Sequence, residues 1–309
     1  MHFELTILGC NSAVPAHNRF PSAQVLQVQE HAYLIDCGEG TQMRMLQYNI
    51  RKSKINAIFI SHLHGDHVYG LIGLLNSYNL ASRKAPLKVF APPGLEEIIN
   101  VHLKYSAHPF TYPVDFVTTD VERAQQVYED EGITVETIPL QHRVPTNGYL
   151  FREKQRPPNI RPEQLKVYDI HYSKIPAIKA GEDLLLDDGR RIPNHELIFL
   201  APPPRSFAYC SDTLYTESII DQIKGVSLLY HESTFMHEVL ELAKQTMHST
   251  AHQAATIAHK AQVGQLILGH YSSRYQDLSP LLAEARAVFP NSELGEGGRR
   301  YTVALEKRS

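Results

Sequence analysis

Three cysteines are all that this chain contains: Cys10, Cys37 and Cys210. They are odd in number, far apart and without a Cys-x-x-Cys pair, which excludes a disulfide framework and suits a reducing compartment. Long apolar runs are missing as well. None approaches the roughly 18 residues that a membrane-spanning helix needs. The opening MHFELTILG has no basic segment, and its apolar run is too short for a secretory signal peptide. These absences predict a cytoplasmic protein. An excess of positive charge is also lacking, since the formal net charge is −3 at pH 7. Nucleic-acid-binding domains are often clearly basic, so any polyanion site here must be a local patch. No repeat or low-complexity tract is present.

Histidine, by contrast, is plentiful, with 17 residues. A chain of 309 residues can bury a large core as one domain, particularly in a layered α/β architecture. Its pattern alternates short strands with helices. Strands are expected over 3–8, 23–28, 32–36, 56–60 and 87–91, with helices after the glycines of DCGEG, over 68–80 and from 95 to 105. Residues 114–151 are β-rich. The rhythm resumes with strands at 207–210, 226–231, 265–268 and 301–305, and with helices near 249–262 and 281–288. Between these halves the pattern breaks. Residues 152–179 carry four prolines and seven lysines and arginines (152, 154, 156, 161, 166, 174, 179) against three acids (153, 163, 169). This local excess of four positive charges reads as an inserted, partly extended arm over 152–182; most charged, proline-rich stretches are simply solvated loops.

The densest chemistry lies in ISHLHGDHVYG, residues 60–70, where His62, His64, Asp66 and His67 fall within six positions at the end of an apolar strand. Imidazole and carboxylate suit borderline divalent metals such as zinc. Gly65 lets the backbone turn sharply among them. Two clustered histidines are often accidental, whereas four donors and a glycine at one strand end are not. Three further donors also follow apolar strands: His142 after ETIPLQ, Asp212 after FAYCS and His270 after QLILG. Singly, each is more often a surface Asp or a satisfied histidine. Together they would gather at one edge of a layered sheet.

The pattern His62-x-His64-x-Asp66-His67 resembles that of metallo-β-lactamase-like hydrolases, which implies a four-layer αββα sandwich. Within that superfamily the chain resembles the ribonuclease Z family of tRNA 3′-processing endonucleases. The resemblance runs nearly end to end, through LGCNSAVPAHNRFPSA, DCGEGTQMRML, SHLHGDHVYGLIGLL, YCSDT, HESTF, MHSTAHQAA and LGHYSSRY. It implies two Zn2+ ions per subunit: one on His62, His64 and His142, the other on Asp66, His67 and His270, with Asp212 bridging. Asp66 takes a second role as general base. His248 is then the proton donor to the leaving oxygen and Glu232 its partner; the plainer reading of His248 is a residue beside the helix cap supplied by Ser249 or Thr250. Arg274 and Tyr275 are implied contacts to the scissile phosphate. Asp36 is expected to support the metal ligands rather than bind metal. His231, His237, His252 and His259 read as packing or surface residues.

The resemblance further implies precursor tRNA as substrate, cytoplasmic homodimers and an arm that grips tRNA. Arg152, Lys154, Arg156 and Arg161 are its candidate phosphate contacts. The stretch DIHYSKIPAIKAGEDLLLDDG departs from the family's arms in having no Gly-Pro turn. A small-molecule phosphodiesterase or other hydrolase on the same two-metal site is the competing enzymatic reading. A metal-free RNA-binding scaffold is the non-enzymatic one. A di-iron redox protein would favour Glu where this chain has His64.

Overall fold

A computed structural model describes residues 2–106 and 109–305. Two compact units are resolved within the chain. The first comprises residues 1–152 and 205–303. It begins with strands β1 (Phe3–Gly9), β2 (Ala23–Val28), β3 (His31–Ile35), β4 (Ile55–Phe59), β5 (Leu87–Ala91) and β6 (Val114–Thr118). Next come β7 (Gln126–Glu129), β8 (Ile133–Pro139) and β9 (Asn147–Glu153).

Residue alternation explains why these strands layer. In β2 to β4, Leu26, Val28, Tyr33, Ile35, Ala57 and Phe59 join one apolar cluster, while Ala23, Val25, Ala32, Leu34, Ile55 and Ile58 join another. Successive side chains leave opposite faces of a sheet, so strands apolar on both faces must be covered twice. The first cluster fills the space between two sheets and includes Phe59 stacked on Phe90 at 4.8 Å. The second lies under the helices Leu71–Leu80 and Leu95–Ser106.

After an excursion through residues 153–204, the chain re-enters the second sheet. That excursion contains β10 (Asn159–Ile160), β11 (Leu184–Leu185), β12 (Arg191–Ile192) and β13 (Ile198–Phe199). Strands β14 (Ser206–Cys210), β15 (Leu228–Glu232), β16 (Gln265–Gly269) and β17 (Ser292–Leu294) follow, and β18 (Arg300–Thr302) returns to pair with β1. The two large sheets run β18-β1-β2-β3-β4-β5-β6 and β17-β16-β15-β14-β9-β8-β7. Apolar residues of the helices Ala251–Lys260 and Ser279–Val288 pack into the core shared with the second sheet. The architecture is the α/β four-layer αββα sandwich. β3 to β6 are mutually parallel, as are β14 to β17. Parallel strands send their C-terminal loops to one edge, where such sheets place their chemistry.

Two expectations need correction. The helix expected over 68–80 is broken into Gly65–Val68 and Leu71–Leu80. Gly70 sits between them and packs on the β3 exit: a Cβ there would stand 2.2 Å from the Gly38 carbonyl oxygen. The stretch expected to be partly extended belongs to the second unit, residues 153–204 with 304–305. It carries the short helices Pro162–Val167, Ile175–Lys179 and Asn194–Leu197 and its own apolar cluster of Ile178, Leu184, Ile192, Leu197 and Ile198. Two of its prolines start helices instead of breaking them. Pro162 and Pro176 occupy first-turn positions, where a missing N–H is no loss. The basic excess is local too: residues 153–204 hold eight lysines and arginines and eight acids.

Candidate metal centre

Every donor named from the sequence leaves an edge of the first unit's sheets. The histidine loop follows β4, His142 lies in the turn between β8 and β9, Asp212 follows β14, Glu232 closes β15 and His270 follows β16. Asp36, Asp212 and His270 have positive φ of 54°, 53° and 56°. Left-handed backbone is costly for residues with a Cβ and collects at functional sites. The two sheets are stitched together beside the site: Tyr149 Oη donates to the Ile60 carbonyl at 2.7 Å, and Tyr209 Oη to Asp36 Oδ2 at 2.6 Å.

The structure gathers the donors into two clusters. In one, donor atoms of His62, His64, His142 and Asp212 lie within 4.8 Å of one another; in the other, those of Asp66, His67 and His270 do. Asp212 turns one oxygen to each. Its Oδ2 stands 3.5 Å from His62 Nε2 and 3.7 Å from His142 Nε2. Its Oδ1 stands 3.2 Å from His67 Nε2 and 3.1 Å from His270 Nε2. Asp66 Oδ2 lies 3.5 and 3.4 Å from the same two nitrogens.

The chemistry of this set fits divalent cations. Nε2 of His62 and of His142 approach His64 Nδ1 to 3.0 and 3.4 Å. His142 Nδ1 donates to the Met247 carbonyl, so the neutral ring turns a bare Nε2 toward the cluster. Burial lowers the pKa of His62, His64 and His142, leaving neutral imidazoles with lone pairs to offer. The second cluster is rich in negative charge. Burial alone would lower His67, yet the carboxylates of Asp212, Asp66 and Asp36 hold it well above its usual value. Burial would likewise raise Asp66, but His67 and His270 hold it well below the carboxylate range. Among the described residues the ion-pair partners of Asp36, Asp66 and Asp212 are all histidines. Buried carboxylates without a fixed cation are costly, and a metal ion can take the place of the proton on His67.

A layer of fixed hydrogen bonds orients these donors. Asp36 is fully buried and accepts from Ser61 N–H (2.7 Å), Ser61 Oγ (2.9 Å) and His67 Nδ1 (2.7 Å). It backs the cluster without facing it, and such a partner sets the tautomer of a ligating ring. Beside the second cluster, His248 Nδ1 lies 2.9 Å from Glu232 Oε1. Glu232 is fully buried and also accepts from Thr213 N–H and Thr234 Oγ1. Burial would lower His248, but the Glu232 carboxylate outweighs it and raises the pKa to about 9. Donor atoms of His248, Asp212 and His270 again fall within 4.8 Å. The helix cap is Thr250, in a capping box with Gln253, so His248 lies two residues ahead of the cap.

Other candidates are placed less directly. Arg274 is exposed with its guanidinium 5.5 Å from the Phe235 ring centroid. Tyr275 Oη accepts from Met236 N–H. In the arm, Arg156 pairs with Glu153 at 2.7 Å, Arg161 bonds the Ile198 carbonyl and lies over Phe199, and Lys154 is half-buried. Arg152, which precedes the second unit and belongs to the first, bonds the Gln222 carbonyl. These four are at least partly occupied with structure; Lys166 and Lys174 are exposed, and Lys174 Nζ also reaches the Leu185 carbonyl at 3.4 Å. Sequence reading passed over Ser61, and also Thr234, whose Oγ1 joins Glu232 (2.6 Å) to His270 Nδ1 (3.0 Å). Both sit inside the quoted motifs, SHLHGDH and HESTF, where adjacency to ligands was the available signal.

Comparison with known proteins bears on this geometry. The family model described as anti-Pycsar protein Apyc1 matches residues 3–155. A ribonuclease Z of Bacteroides fragilis is 46% identical over 294 residues, covering 95% of this chain and 97% of that protein. One of Phocaeicola vulgatus is 45% identical over 301 residues, covering 97% of each. The crystal structure of human tRNase Z, short form, superposes with a TM-score of 0.71 at 24% identity, over 98% of this chain and all of that one. A diphosphatase from the PhnP family gives 0.62 at 18% identity, also over 98% of this chain and all of the other. At these identities the two structures establish the shared fold.

Proposed function

This chain belongs to the ribonuclease Z family, a family of tRNA endoribonucleases, and on that premise we propose that it removes 3′ trailers from tRNA precursors with two zinc ions. The observation that carries the proposal is the junction of two donor clusters on Asp212 with the Glu232–His248 pair alongside. His62, His64 and His142 would hold one ion, Asp66, His67 and His270 the other, and Asp212 both. When bound, such ions supply Lewis acidity at the scissile phosphate and bring a water's pKa to about 7.

The chain's own groups then divide the proton traffic. Asp66, ionised across physiological pH, accepts a proton from the attacking water. His248, charged through Glu232, gives a proton to the departing 3′ oxygen of the tRNA. The P–O3′ bond breaks, leaving a tRNA 3′-hydroxyl and a 5′-phosphate on the trailer. The exposed Arg274, with Tyr275 beside it, is the proposed grip on the scissile phosphate. The arm, residues 153–204, with Arg152 just before it, is the proposed hold on tRNA, through exposed lysines such as Lys166 and Lys174 as well as Arg152, Lys154, Arg156 and Arg161. The active form is a homodimer of a cytoplasmic protein. Among the described residues no helix is long and apolar enough to cross a membrane.

Incubating the purified protein with a 3′-extended tRNA precursor tests this reading. Cleavage at the trailer junction, abolished by a chelator and restored by zinc, is the expected result. Hydrolysis of a chromogenic phosphodiester with no cutting of the precursor would replace it with a small-molecule phosphodiesterase.

A further inference from the structure

The loop joining β1 to β2 has no part in the roles above, yet it reaches the second donor cluster. Ala13 N–H donates to Asp66 Oδ2 at 2.7 Å. This is the oxygen that stands 3.5 and 3.4 Å from Nε2 of His67 and His270. Ala13 pays for this aim with a φ of 59°, a conformation that persists only when its surroundings impose it.

Asn11 imposes it. Its side chain is fully buried. Nδ2 donates to the Val14 carbonyl at 2.7 Å and to that of Ser12 at 3.4 Å. Val14 N–H donates to the Ser12 carbonyl at 2.7 Å, closing a three-residue turn about Ala13. Asn11 Oδ1 accepts from Arg19 Nε at 2.9 Å, at the far end of the loop. The loop is also fastened to the exit of β16: Tyr271 N–H bonds the Cys10 carbonyl and Ser12 N–H bonds the Tyr271 carbonyl, both at 2.9 Å. It therefore ties the Asp66 side of the cluster to the His270 side.

We propose that Asn11 is a positioning residue for the metal site: by fixing the left-handed turn at Ala13 it aims that N–H at Asp66 and locks the carboxylate facing His67 and His270. An aspartate has two free side-chain torsions, and a charge-assisted hydrogen bond selects one arrangement of them. The inference rests on the metal-dependent reading above.

Two alterations test it. Asn11→Asp keeps the size and the acceptor for Arg19 but turns an oxygen toward the Ser12 and Val14 carbonyls. Replacing Ala13 by lactic acid removes only the N–H and leaves every side chain native. Zinc affinity is read by chelator competition, and kcat and KM with a chromogenic phosphodiester and a tRNA precursor. In both proteins one zinc equivalent should weaken by about 10- to 100-fold and kcat should fall as much, as other supporting partners of metal ligands do. KM should stay within about threefold, the pattern of a lost interaction that substrate binding does not use. Wild-type zinc affinity and kcat in both proteins would overturn the proposal. If Asn11→Asp does not fold, the ester protein decides alone. A wild type that binds no zinc would instead sink the functional reading, so the two failures are distinct.

Discussion

His248 sets two opposing forces against each other, and their balance gives a rate prediction. Burial favours the neutral ring, while the Glu232 carboxylate favours the charged one and wins, raising the pKa to about 9. An acid works only while protonated, so activity should persist below that value and fall as pH rises through it. Bound divalent ions repel the imidazolium and move this alkaline limb downward from 9, toward the ordinary value of about 6.5. Glu232→Gln removes the largest raising influence and leaves only the smaller pull of Asp212 and Asp66 against burial. Its alkaline limb should shift down by one unit or more, with kcat at pH 7.5 reduced about 10²-fold or more, the lower range for general acid catalysis. A kcat–pH profile checks this, and an unmoved limb would exclude His248 as the acid. The ligands were legible because their spacing and strand-end positions are sequence properties. Ser61 and Thr234 offered only their adjacency to ligands, since their contacts to Asp36 and His270 form on folding, and the Ala13 N–H, fifty-three residues from Asp66, offered nothing.

At the level of the element, the β3 exit and the histidine loop are locked together by a glycine. Gly70 N–H donates to the Cys37 carbonyl at 2.8 Å. An added Cβ would come within 2.2 Å of the Gly38 carbonyl oxygen and 2.9 Å of that of Cys37. The atoms it would meet are backbone, so no side chain can swing away. Gly70→Ala must separate Asp36–Gly38 from the segment carrying His67, whose ring Asp36 holds. A loss of about 1–3 kcal/mol is expected, the usual range for overpacking, together with weaker zinc binding. Thermal unfolding and chelator competition measure the two; unchanged values in both would show that the contact is slack. Most strands were readable because apolar stretches ended at Gly, Pro or the motif itself, as with Phe3–Gly9 and Leu87–Ala91. Sequence periodicity did not show the break at Gly70, because the cause is a contact with a segment some thirty residues away. It also did not show the short helices Pro162–Val167 and Ile175–Lys179 within the arm, because prolines at helix starts look the same as prolines in an extended chain.

For the whole molecule, the question is what the second unit contributes. The two large apolar clusters belong to the first unit's sheets and helices, whereas residues 153–204 keep a small cluster of their own. The point of insertion makes them separable. β9 and β14 are antiparallel neighbours, with Arg152 opposite Ser206, so the chain leaves and returns at adjacent strand ends. A two-residue turn of Asn-Gly type can join such ends. Replacing residues 153–204 by such a turn, with the buried Arg205 kept, should therefore leave a folded protein with both zinc equivalents and near-native hydrolysis of a chromogenic phosphodiester. Cleavage of precursor tRNA should fall by about tenfold or more in kcat/KM. The loss should appear mainly in KM, since remote contacts add binding that the ground state and transition state share. Its salt dependence should flatten as well, because each lost phosphate contact removes its share of counterion release. Equal balance of acids and bases across the unit means that the effect must come from one basic face, so Lys166→Glu with Lys174→Glu should reproduce part of it in the full chain. Wild-type precursor cleavage by the shortened protein would assign tRNA recognition to the first unit alone.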